Sequence, residues 1–138
     1  MTTVRPHSLL RTALLVDAAG SGALALLQLL ATDTLAPLLG VPAPVLLGTG
    51  LFFVAYVTLL VLMARAAQLP VALVWLVVVG NAGWAVGCVG AMLSGWLQPS
   101  AAGVGYLLFQ AVAVLLFATL QRMGLARSTP LGGAVLQA

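Results

Sequence analysis

Four apolar stretches of about twenty residues each run through this chain, and the links between them are too short to hold a domain. About 20 such residues make a helix long enough to cross the hydrocarbon core of a bilayer. Inside that core every backbone N–H and C=O must be satisfied within the protein, which leaves helices or closed barrels as the possible spanning elements. Runs of this length read as helices. The expected spans are 9–31, 45–65, 70–93 and 101–122, with a short polar segment over 1–8 before them and a small, Gly-containing tail expected to be mobile over 123–138. The fold class that follows is all-α: a polytopic membrane protein with four transmembrane helices in an antiparallel bundle.

Composition supports this reading. Only 5% of the 138 residues are charged and 63% are hydrophobic, whereas soluble domains carry about 25% charged residues. The net charge of +3 comes from five arginines against two aspartates. Arg5, Arg11, Arg65, Arg122 and Arg127 stand singly at span ends, all on the side of the two termini, while the opposite links carry Asp33 and no basic residue. By the positive-inside rule both termini are expected in the cytoplasm, which in a bacterium places the chain in the inner membrane. Scattered arginines of this kind suit topology and anionic lipid contact, not a nucleic-acid groove. Span one begins like a signal peptide, but its apolar run exceeds the usual h-region and is interrupted by Asp17 and Gln28, so it is expected to stay uncleaved.

Between spans one and two, Thr32 or Asp33 is placed to cap a short helix containing Pro37 and ending at Gly40. The short link 66–69 predicts that spans two and three are antiparallel neighbours. A shift of 57 residues superimposes Pro42 on Pro99, Gly48 on Gly105, Leu51-Phe52 on Leu108-Phe109, Val57 on Val114, Leu59 on Leu116 and Arg65 on Arg122. That pattern suggests two parallel-related hairpins.

Polar side chains within spans mark interior faces, because hydrocarbon offers them no partner. Asp17, Ser21, Leu24 and Gln28 form one stripe on span one, and Gly103, Tyr106, Gln110, Ala113, Phe117 and Gln121 form another on span four. Counting depth along each helix brings Asp17, Tyr56, Asn81, Trp84 and Gln110 to one level. With Ser21 they make the candidate intramembrane polar or ligand site. Two readings of Asp17 stand side by side: a protonatable site that couples proton movement to a substrate, with Arg65 or Arg122 reaching it from a neighbouring helix, and a carboxyl held by neighbours to set helix register.

On span three, Gly80, Gly83, Gly87, Gly90 and Ser94 form a line of small residues where another helix can approach closely. The favoured reading is packing inside one bundle, with this span at its centre. A homodimer seam is the other. Enzyme chemistry lacks its parts: the sequence holds one histidine, His7, and one cysteine, Cys88, so neither a multi-histidine metal site, a bis-histidine haem nor a hydrolytic triad can be assembled within it. No cofactor is expected. Trp75 and Trp96 read as interfacial anchors, and Trp84 as a core or pocket-lining residue.

Several short motifs carry a resemblance: Leu10-Arg11 with Asp17-Ala18 and Ser21-Gly22, Leu39-Gly40-Val41-Pro42, Asn81-Ala82-Gly83-Trp84, Gly95-Trp96 with Pro99, and Gln110-Ala111. Together they resemble a group of uncharacterised small four-span bacterial integral membrane proteins, and the layout is distantly similar to DoxX-like proteins. The resemblance implies a four-helix inner-membrane protein and brings no activity with it. The expected function is an accessory, scaffold, lipid-binding or partner-binding role, its partners being membrane lipids and either a second copy or another membrane protein. The alternative is a small proton-coupled transporter using Asp17, similar in layout to small multidrug resistance transporters and working as a dimer.

Overall fold

A computed structural model describes residues 2–132. Among these, four helices are long and apolar enough to cross a membrane: α1 (Ser8–Leu30), α3 (Ala43–Arg65), α4 (Val71–Leu93) and α5 (Ala101–Ala126). The chain is an all-α, multi-pass membrane protein. Large apolar side chains such as Leu30, Leu93, Phe109 and Val86 face outward, as they should where the solvent is lipid.

α1 is the central helix. It packs against both α3 and α5, and α4 packs against α5. The backbones of α3 and α4 hardly meet, although only five residues separate the helices in sequence. The expectation that spans two and three are close neighbours therefore holds only through their side chains. A short link fixes two helix ends beside each other, but the bulk of the facing side chains sets the gap along the rest of their length.

Close approach occurs elsewhere. A Cβ at Gly124 would stand 2.6 Å from the backbone of Leu10, so only glycine lets α5 lie against the start of α1. A Cβ at Gly50 would meet Leu29 at 2.9 Å, which brings α3 against α1. Gly103 lies so close to the Leu39 carbonyl that any side chain there would collide with it. By contrast, Gly80, Gly83, Gly87 and Gly90 have nothing within 4 Å of where a Cβ would stand, and with Ser94 they are exposed. This corrects the reading of that line as an intramolecular packing face with span three at the bundle centre. The physical reason is rotational. Asn81, Ala85 and Cys88 turn inward on α4, and that orientation points the glycine line at lipid.

The two ends of the bundle are closed differently. At the far end, α2 (Thr32–Leu39) lies across α3 and α5 and ends at Gly40, whose φ of 65° is left-handed. Neither Thr32 nor Asp33 caps it. The Thr32 hydroxyl donates back to the Gln28 carbonyl, and Ala31 occupies the cap position. Ser100 caps α5, accepting from Gly103 N at 3.1 Å, and its hydroxyl and amide donate to the Leu38 and Leu39 carbonyls at 2.7 and 2.9 Å. At the termini end, β1 (Thr3–Arg5) lies between β2 (Leu69–Pro70) and β3 (Thr129–Pro130) in an antiparallel clasp. Val4 is buried beneath it. Span four thus continues to Ala126 and the chain pairs again at Thr129, so the tail expected to begin at 123 is ordered as far as Gly132; residues 133–138 lie outside the described residues.

Candidate functional site

Asp17 is fully buried, and each of its hydrogen-bond partners is neutral. Ser21, one turn along the same helix, donates to Oδ1 at 3.0 Å. Three donors converge on Oδ2: Tyr56 Oη at 2.9 Å, Asn81 Nδ2 at 2.9 Å and Gln121 Nε2 at 2.8 Å. Asn81 uses its second amide proton on Gln121 Oε1 at 3.1 Å, and Tyr56 Oη also lies 3.0 Å from Asn81 Oδ1. Every transmembrane helix contributes: α1 supplies Asp17 and Ser21, α3 Tyr56, α4 Asn81 and α5 Gln121. Burying a lone carboxylate in hydrocarbon is costly, at about 2.5–3.5 kcal/mol on insertion scales. Four directed donors offset that cost, and no buried side-chain N or O among the described residues lacks a partner.

The arginines take no part in this cluster. Arg11 reaches across to α3 and donates to the Ala64 and Ala66 carbonyls at 2.5 and 2.9 Å, satisfying the end of that helix. Arg65 and Arg122 are exposed. The expectation that either meets Asp17 fails, because Tyr56, Asn81 and Gln121 already fill the space around the carboxyl.

Of the six expected site residues, Asp17, Ser21, Tyr56 and Asn81 come together. Trp84 and Gln110 do not join them. They form a separate pair, with Trp84 Nε1 donating to Gln110 Oε1 at 3.2 Å. The reason is the length of α5. The expected span ends at 122, but the helix runs to Ala126. Those four extra residues move Gln110 about 6 Å further from the termini end and set Gln121 beside Asp17. Gln121 belongs to the interior stripe of span four, so its inward direction was legible in the spacing and only its depth was not. A third polar group ties α1, α3 and α5 nearer the far end, where Gln28 Nε2 donates to Tyr106 Oη at 2.5 Å and Thr49 Oγ1 donates to Gln28 Oε1 at 3.2 Å.

Trp84 spans the gap between α4 and α3. Its ring stacks on Phe52 with centroids 5.7 Å apart and meets Phe53 edge-on at 4.9 Å. Towards the far end, beyond these rings, the helices leave an apolar cleft of about 330 Å³ walled by Thr49, Trp84, Gly83, Gly87 and Trp96. A shallower apolar groove of about 530 Å³ runs along the other flank of α4, against α5. Cys88 is buried with apolar Ala85, Leu107 and Ala111, the setting of a small core residue. No group of three or more His, Cys, Asp or Glu side chains able to hold a metal occurs among the described residues.

Comparisons with protein-family models, with curated proteins and with solved structures returned no match.

Proposed function

We propose that this chain is a non-enzymatic accessory protein of the bacterial inner membrane, oriented with both termini in the cytoplasm, that binds lipid or a partner membrane protein through the lipid-facing side of α4. One observation carries the reading. Four glycines of α4 present bare backbone to the membrane, with nothing of the chain's own within 4 Å of their Cβ positions. Small-residue faces let a second surface approach a helix closely, where packing replaces a hydrophobic drive that lipid does not provide. The five arginines at the termini end support the orientation. The resemblance of its short motifs to small four-span bacterial membrane proteins supports the setting.

The test is native mass spectrometry of the protein drawn gently from its own membrane. A stoichiometric foreign subunit, or lipid that survives release, is the expected result. A bare chain or a bare homodimer sinks the accessory role.

A second reading, a proton-coupled transporter, rests on Tyr56. Its single hydroxyl proton has two acceptors within reach, Asp17 Oδ2 at 2.9 Å and Asn81 Oδ1 at 3.0 Å. With Asp17 ionised, Tyr56 donates to it. With Asp17 protonated, the carboxyl donates to Tyr56 and Tyr56 turns to Asn81. The cluster stays connected in both states, which is what a reversible proton carrier needs. Infrared difference spectra over a pH titration test this: a carboxylic-acid band present in the wild type and lost in Asp17→Asn supports it, and identical spectra dismiss it.

A further inference from the structure

The cleft between α3 and α4 is lined by both helices and by the turn after α4, and it has no polar group left to offer. Thr49 Oγ1 is engaged with Val45 O at 2.8 Å and Gln28 Oε1 at 3.2 Å, and the Trp84 indole N–H is taken by Gln110. Cys88 is buried at the back among apolar side chains. On the α4 side the wall is backbone, because Gly83 and Gly87 carry no Cβ and nothing stands within 4 Å of where one would be. The Trp84 ring, held between Phe52 and Phe53, closes the cleft towards the termini end. Trp96, 70% exposed in the turn after α4, stands at its other end.

An occupant must therefore come from the bilayer, be apolar throughout the part that enters, and be slender. A helix about 10 Å across does not fit a slot of about 330 Å³, whereas a flexible run of methylenes does. The volume lies at the small end of ligand pockets, which span roughly 300–1,000 Å³. We infer that this cleft is a binding site for one acyl chain of a membrane phospholipid, lying against the Gly83–Gly87 backbone with its headgroup at the interface near Trp96. The inference rests on the lipid-facing role proposed for α4 and narrows it to one ligand and one place. It gives the exposed glycines a use that their packing within the chain does not, since a side chain at either position would fill the slot.

The experiment uses Trp84 as the reporter. With Trp75→Phe and Trp96→Phe, the full chain keeps a single tryptophan at the closed end of the cleft. It is reconstituted in vesicles of ordinary phosphatidylcholine and in vesicles whose acyl chains are brominated, a contact quencher of indole emission. Brominated chains are expected to remove more than half of the Trp84 emission, and adding Gly87→Leu is expected to restore most of it. Gly83→Leu serves as the second filling variant should the first fail to fold. Equal emission in the two vesicle types overturns the inference, as does quenching that neither filling variant changes. Lost quenching together with a crosslinked dimer assigns the cleft to a second copy and overturns it too. A partner subunit retained in native mass spectrometry beside an unquenched Trp84 would leave the accessory role standing while the acyl site falls.

Discussion

Two seams of this bundle invite comparison because the 57-residue sequence echo would make them equivalent. If the α1–α3 hairpin corresponds to the α4–α5 hairpin, the seam between α1 and α5 is the counterpart of the seam between α3 and α4. The first is tied at both ends and at mid-length, leaving only a small recess of about 100 Å³ beside Gly20, Leu24 and Phe117. Leu10 lies on Gly124, Gly20 faces Phe117 at 3.5 Å, and Gln28 meets Tyr106. The second is held open by Phe52, Phe53, Tyr56 and Trp84. Polar contact between α3 and α4 is confined to one point, Tyr56 on Asn81, within the Asp17 cluster. Glycine count does not decide which seam closes. What decides is whether the glycine faces a neighbouring backbone, as Gly124 does, or faces outward, as Gly87 does.

The largest way to break this contrast is to spoil the closed seam. Gly124→Leu drives a side chain into the Leu10 backbone and should cost about 3 kcal/mol, the upper end for overpacking a tight site, read as a lowered unfolding midpoint in mixed micelles. Next is the cluster that joins both seams. Asp17→Ala leaves Tyr56, Asn81 and Gln121 without their shared acceptor and should cost about 2–3 kcal/mol, in the range for orphaned buried polar groups. Asp17→Asn keeps one carbonyl for those donors and should cost about half as much in the same assay. Equal losses for the two variants would mean that Asp17 does not organise the cluster.

Weakening the open seam should matter less. Trp84→Ala removes the prop between α3 and α4 and is expected to cost about 1–2 kcal/mol, below the 3–5 of a full-core aromatic truncation, since the ring is only half buried. Melting in detergent checks it, and a loss as large as that of Gly124→Leu would erase the distinction between the seams. The smallest effect belongs to the exposed line. Gly83→Ala should stabilise the isolated protein by about 0.5–1 kcal/mol through helix propensity alone. A destabilisation in thermal melts of the monomer would show that the face is packed after all.

Much of this was legible beforehand. The apolar runs and the turn residues between them give the spans to within a few residues, except at the end of α5. The i, i+4, i+7 stripes give the inward faces of α1 and α5, including Gln28, Tyr106 and Gln121. Asp17, Ser21, Tyr56 and Asn81 were found because hydrocarbon leaves a polar side chain nowhere to go but inward. The rest depended on quantities that one strand of residues does not carry. Gln121, and not Gln110, takes the level of Asp17 because helix depth is counted from an end, and α5 runs on to Ala126.

By itself the sequence determined that the chain is a helical membrane protein, where its helices begin, and that a buried carboxyl must find donors. Those are consequences of a solvent that will not satisfy backbone or side-chain polarity. Only the tertiary structure decided which donors Asp17 meets, which glycines bring helices together and which face lipid, and that one seam stays open. Each of these depends on the rotation and axial offset of one helix against another. Small and apolar residues permit several such arrangements, and the packing of the whole bundle selects among them.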